Sequence, residues 1–79
     1  MKIIFTEHAK HRMLSRSISK VEVINTLFHP DGTSTQGAKT LAKKIRNNGQ
    51  LLIVCHVYRE GYILVITVVS TSKLTKYLK

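Results

Sequence analysis

The chain reads as an α+β domain in which two N-terminal helices pack on one face of a three- to four-stranded antiparallel β-meander. Three observations predict this. The segment Glu7 to Arg16 holds no Gly or Pro and repeats apolar residues at helical spacing, whereas the runs Leu51 to Tyr58 and Tyr62 to Val69 are rich in Val, Ile and Tyr. Two glycine-bearing turn signals, Asn47-Asn48-Gly49 and Arg59-Glu60-Gly61, separate the extended runs. A length of 79 residues leaves room for one domain, spanning 1–79, and 43 % apolar residues suffice for a small core.

Thr6 stands where a helix N-cap is expected, and Phe5, Ala9 and Met13 recur at spacing four, which predicts a first helix over about residues 7 to 16. Ser17-Ile18 interrupts it. Ser19-Lys20-Val21-Glu22 has the capping-box pattern, in which Ser19 and Glu22 each satisfy the other's exposed backbone donor. A second helix follows, turning Val23, Ile24, Leu27 and Phe28 inward and stopping before Pro30. His29 to Gly37 is polar, contains Pro30, Gly32 and Gly37, and reads as a loop with room for a short extended piece. Ala38 to Arg46 suits a helix or a strand, because Leu41 and Ile45 lie four apart. The Asn-Gly that follows decides for a strand.

Register then divides the meander into faces. A 59–61 loop that pairs Tyr58 with Tyr62 sets Cys55 opposite Val65 and His56 opposite Leu64. The floor for the helices becomes Leu52, Val54, His56, Leu64, Ile66 and Val68. A two-residue Asn48-Gly49 turn adds Leu41, Lys43 and Ile45 to that floor and leaves Lys44, Arg46 and Thr67 together on the opposite, basic face. A slip of one residue in this turn reverses the lysines. The tail from Ser70 to Lys79 fits a short amphipathic helix and an edge strand equally.

Thirteen Lys/Arg against four Asp/Glu give a formal net charge of +9. The excess is clustered: His8, Lys10, His11, Arg12 and Arg16 share one early segment, and Lys39, Lys43, Lys44 and Arg46 form an acid-free run. A field of that sign collects polyanions, so phosphate backbones are the first partner to consider. On the first helix His8, Arg12 and Arg16 fall on one stripe beside His11 and Ser15. Metal-independent RNA cleavage needs a base for the 2′-hydroxyl, an acid for the leaving 5′-oxygen and cations for the charge on phosphorus, and His and Arg supply these. A solvated basic helix face fits the same residues equally well. On the strand, alternation lets only one of Lys43 and Lys44 face a shared phosphate, and lysines that deter edge aggregation are the plain alternative.

Other chemistries find less support. His8 and His11 have no third metal ligand beyond Glu7, so no metal site is expected. Cys55, the only cysteine, excludes an internal disulfide and reads as a small buried hydrophobe in a reducing cytoplasm. His56 reads as a core histidine, His29 as a helix-end residue, and the aromatic residues are too dispersed for a base-stacking platform. Met1 to Phe5 is far too short for a signal core or a spanning helix, so the expected setting is cytoplasmic, with no membrane partner.

Phe5-Thr6-Glu7-His8-Ala9 with Arg12 and Arg16, Ile18-Ser19 with Glu22-Val23, Pro30, and Ile63-Leu64-Val65-Ile66-Thr67-Val68 together resemble the family known as domain of unknown function 4258. The resemblance spans almost the entire chain. That family is grouped with the compact RelE/barnase-like toxins, so the resemblance implies a RelE-like fold and cleavage of RNA, with mRNA the expected substrate, without metal or cofactor. It also implies an acidic antitoxin partner and raises the ribosome as another. Carried over to this chain, the implied catalytic residues are His8 as acid or base, Arg12 and Lys44 as transition-state cations and Thr67 as a positioning hydroxyl. Arg16, Lys39, Lys43 and Arg46 would hold flanking phosphates. The chain departs from the pattern between Pro30 and Lys39 and lacks the Arg/Tyr-rich C-terminus of ribosome-dependent toxins. Two further readings share the charge: a non-catalytic nucleic-acid-binding protein, and a RelE-like toxin that inhibits a protein target.

Overall fold

In the computed structural model, which describes residues 2–73, the elements run β1 (Lys2–Phe5), α1 (Glu7–Ser15), α2 (Lys20–Phe28), β2 (Gly32–Gln36), β3 (Lys39–Ile45), β4 (Leu51–Arg59) and β5 (Tyr62–Thr71). The α+β class and both helices are as the sequence predicts. The sheet differs from the three- to four-stranded antiparallel meander: it has five strands in the order β1-β5-β4-β3-β2 and is mixed. β2, β3, β4 and β5 form the antiparallel meander, and β1 joins β5 in parallel, from Lys2 opposite Tyr62 to Phe5 opposite Val65. Both unexpected strands are edges. β1 has only four residues and a partner at the far end of the chain, so no local turn announces it. β2 is polar because an edge strand buries little, yet Thr33 and Thr35 favour extended backbone. Ser70 and Thr71 close β5; residues 74–79 of the tail lie outside the described residues.

Both helices pack on one face, α1 chiefly over β5 and α2 over β3 and β4. Ala9, Met13, Ile18 and Val23 meet Ala42, Leu52, Val54, Val65 and Val68, with Ile3, Phe5 and Leu27 at the margin. On α2 the inward set differs from the expected one. Val23 and Thr26 are buried, whereas Ile24 and Phe28 face out. Thr26 sits in the core because its hydroxyl donates to the Glu22 carbonyl at 2.9 Å, so no polar atom is left unpaired.

Two of the predicted turns differ in length, and the faces change with them. Arg46 N–H donates to the Gln50 carbonyl (2.7 Å) and Gly49 N–H to the Arg46 carbonyl (2.9 Å), so the β3–β4 turn encloses three residues. Gly49 takes the left-handed conformation (φ 84°) that such a turn requires. The slip of one residue brings Thr40, Ala42 and Lys44 to the helix side, with Ala42 opposite Val54, and sends Leu41, Lys43 and Ile45 to the other face. The β4–β5 loop is the shorter pair Glu60-Gly61, so Arg59 pairs with Tyr62, and Tyr58 with Ile63 rather than Tyr62. Further along, Cys55 lies opposite Thr67 but His56 lies opposite Val65, which leaves Ile66 as an extra residue in β5. This bulge places Val65 and Val68 on the same, helix-bearing face in the positions expected of Leu64 and Ile66.

The bulge also holds α1. Thr6 N–H donates to the Val65 carbonyl (3.0 Å) and Thr6 Oγ1 donates to the Ile66 carbonyl (2.8 Å) while accepting from the Ala9 N–H (3.1 Å). One hydroxyl thus caps the helix and anchors it to the sheet. The helix ends in a Schellman motif: Ile18 N–H reaches the Met13 carbonyl (2.8 Å), Ser17 N–H reaches Leu14, and Ser17 has φ 55°. Ser17 is the only non-glycine with positive φ among the described residues.

Thr6→Val, which keeps the shape and removes the hydroxyl, is expected to lower unfolding free energy by about 1–2 kcal/mol in urea titration. Ser17→Gly, which relieves the left-handed strain, is expected to raise it by about 0.5–1 kcal/mol in the same assay.

Candidate nucleic-acid interface

Capping at Thr6 starts α1 one residue before His8, and the burial of Ala9 and Met13 turns the rest of the helix outward. His8, Lys10, His11 and Arg16 are exposed, and Lys10 makes only a loose pair with Glu7 (3.5 Å). Arg12 differs from these neighbours. It is half-buried, its Nε is shielded from solvent, and that atom has no hydrogen-bond partner. An unpaired guanidinium nitrogen that has lost water retains its full capacity to donate.

The basic strand is arranged differently. Lys44 Nζ donates to the His29 carbonyl (2.8 Å) and lies 3.8 Å from Asp31 Oδ1, which ties β3 to the end of α2. Asp31 Oδ2 in turn accepts from the Ile45 N–H (2.9 Å). Arg46 forks onto Glu22, Nε to Oε2 at 2.7 Å and Nη2 to Oε1 at 3.2 Å, and adds Ser70 Oγ (2.8 Å) and the Ser17 carbonyl (3.4 Å). Its side chain is 11 % exposed. Bidentate geometry and partial desolvation make this the strongest ion pair described in the molecule. It also explains the half-formed capping box: Ser19 Oγ accepts from the Glu22 N–H (3.1 Å), but the Glu22 carboxylate turns to Arg46.

The sequence-derived candidates therefore fall in three places. His8, Arg12 and Arg16 lie on α1. Lys44 and Arg46 line a cleft of about 590 Å³ between α2 and the β3–β4 turn, together with Ser19, Asn25, Asn47 and Asn48. Thr67, opposite Cys55, and Lys43, opposite Ile53, lie on the sheet face turned away from the helices, and Lys39 is exposed at the start of β3. The expected grouping of Lys44, Arg46 and Thr67 on one basic face does not form, because the three-residue turn at 47–49 moves the two cations to the helix side. The cleft's asparagines escaped sequence reading, since Asn47-Asn48-Gly49 already had a sufficient role as a turn. The Glu22–Arg46 pair escaped it as well, having no local spacing to mark it.

His56 is buried on the helix side, with Nδ1 3.0 Å from the Val54 carbonyl and its ring edge-on to Tyr58 at 5.2 Å. Its Nε2, with Arg12 Nε, completes the buried side-chain polar atoms without a partner among the described residues. Cys55 is a buried free thiol. No group of three or more His, Cys, Asp or Glu that could hold a metal ion occurs among the described residues, and no helix there is long and apolar enough to cross a membrane.

Fold and surface together define a small α+β domain with a basic first helix, on which Arg12 Nε has no partner among the described residues. The family model for Domain of unknown function (DUF4258) matches residues 5–70, and the chain belongs to that family. No curated protein and no solved structure gives a significant match.

Arg46→Ala is expected to cost about 2 kcal/mol in unfolding free energy, and Arg46→Lys to recover only part of that, because a lysine cannot fork onto Glu22. Thermal and urea unfolding of the two variants check this.

Proposed function

We propose that the chain is a small basic endoribonuclease, of the RelE/barnase-like toxin kind, that cleaves RNA without metal through α1. The observation that carries this reading is the contrast between cations. The donors of Lys44 and Arg46 are engaged within the fold, whereas the shielded Nε of Arg12, one turn from His8 and next to His11, has no partner among the described residues. In the proposed reaction the 2′-oxygen attacks phosphorus and the bond to the 5′-oxygen breaks, leaving a cyclic phosphate and a free 5′-hydroxyl. His8 takes the 2′-hydroxyl proton, His11 returns one to the leaving oxygen, and Arg12 stabilises the charge that builds on the phosphoryl oxygens. Arg16 and Lys20 continue the positive track for neighbouring phosphates. Lys44 and Thr67 take no part, one being tied to His29 and Asp31 and the other lying on the far face of the sheet. An acidic antitoxin is the partner this reading calls for.

A non-catalytic nucleic-acid binder is the second reading, favoured by the separation of Thr67 and Lys44 from His8. Incubation of the purified protein with total RNA in EDTA, followed by primer extension and end-group analysis, separates the two. Cleavage with cyclic-phosphate ends is expected, with His8→Ala and Arg12→Ala each slowing it by about 100-fold or more at unchanged thermal stability. Thr67→Val is expected to cleave normally. Salt-sensitive binding without cuts at any pH establishes the binder instead.

A further inference from the structure

The cleft between α2 and the β3–β4 turn is lined by polar groups yet electrically balanced. Lys44 is held 3.8 Å from Asp31 and Arg46 2.7 Å from Glu22, so the two cations that border it are already neutralised. A phosphate entering there would have to displace a carboxylate, whereas a neutral ligand would not. The volume of about 590 Å³ lies in the range of small-molecule sites, roughly 300–1,000 Å³. All three guanidinium nitrogens of Arg46 are engaged, on Glu22, Ser70 and the Ser17 carbonyl, so the flat face of the group is what it has left to offer. Val21 and Ile45 add exposed apolar side chains to the same lining. The exposed amides of Asn25 and Asn47 make no hydrogen bond among the described residues, unlike Asn48, whose Oδ1 accepts from the Gln50 N–H (3.0 Å). Each amide sets a donor beside an acceptor.

A guanidinium plane and apolar side chains, set beside neutral donor and acceptor pairs, match a flat heterocycle with hydrogen-bonding edges, which is the chemistry of a nucleobase. We infer that the cleft is a subsite for one base of a single-stranded RNA, stacked on Arg46 with its edge read by Asn25 and Asn47. The position suits a strand that runs along α1. Arg46 Nη2 lies 3.4 Å from the carbonyl of Ser17, which directly follows the capping residue Arg16, so the cleft adjoins the C-terminal end of the basic helix. His8 and Ser17 are about 14 Å apart along the helix axis at 1.5 Å per residue. The base in the cleft thus belongs to a nucleotide further along the strand than the phosphate that reacts at His8. The inference rests on the proposed RNA reading for the strand but not for the ring, since the lining of the cleft is separate from α1.

Titration of the full chain with adenosine, guanosine, cytidine and uridine, followed by amide chemical shifts, tests the ring, and ribose 5-phosphate is the probe without a base. At least one nucleoside is expected to shift residues 25 and 45–48 with little dependence on salt, and ribose 5-phosphate to leave them unmoved. Asn25→Ala/Asn47→Ala, at two exposed positions, should weaken that binding by about tenfold or more at unchanged thermal stability. A short single-stranded RNA added to the His8→Ala chain tests the strand: it should shift both α1 and the cleft, and an abasic oligomer of equal length α1 alone. No response to any nucleoside, an equal response to ribose 5-phosphate, shifts confined to α1, or full binding by the double variant would each overturn the inference. Cleft shifts with nucleosides but none with the RNA would overturn the strand as the source of the base. RNA cleavage by a chain whose cleft takes no nucleoside ends this inference alone, whereas nucleoside binding without cleavage ends only the proposed activity.

Discussion

The extra residue Ile66 in β5 sets the phase of everything on the helix side of the sheet. Without it, Val65 and Val68 would point to opposite faces, and the core beneath α1 would lose one of its two floor residues in β5. Because the bulge also turns the Ile66 carbonyl toward Thr6, the same irregularity that keeps the apolar phase fixes the start of the helix. From that point 3.6 residues per turn determine which side chains of α1 go down and which go out. Ala9 and Met13 go down, and the outward positions are left to His8, His11 and Arg16.

A chain with four acids and thirteen bases has few ways to neutralise cations internally, and the placement of those acids determines the rest of the electrostatics. Glu22 and Asp31 sit at the two ends of α2 and hold Arg46 and Lys44, so both are connectors between the helix layer and β3. Glu7 is spread thinly over Lys10. The surplus therefore has a location as well as a magnitude. Arg12 and Arg16 at α1 and Lys39 at the start of β3 lie outside these ties, while Lys44 and Arg46 of the acid-free basic run supply two structural ties.

Local signals were legible in proportion to how local their causes are. Thr6 and Ser19 caps, the Phe5-Ala9-Met13 stripe and the glycines of the hairpins act within a few residues, and both helices and the three long strands follow from them. β1 depends on a partner some sixty residues away and leaves no pattern in its own residues, and β2, an edge, leaves only the extended preference of Thr33 and Thr35. The faces of β3 hinged on whether Asn47 joins the turn, a difference of one residue that the composition of the turn does not settle. That slip moved Lys44 and Arg46 away from Thr67 and with them the larger part of the candidate site. His8 and Arg12 kept a shared face because helical spacing alone puts them there.

The parallel pairing of β1 with β5 has a consequence in time. Lys2 meets Tyr62 across both helices and the other strands, so the contact joins residues sixty apart in the sequence. Contacts of such long sequence separation slow folding, since the loop must be ordered before the pairing rewards it. The four-stranded meander and α2 can assemble from short-range contacts, whereas α1 is seated through Thr6 on carbonyls of the final strand. The basic helix therefore lacks the carbonyls that seat it until β5 has been made, and a nascent chain short of β5 carries those cations on a segment without its anchor.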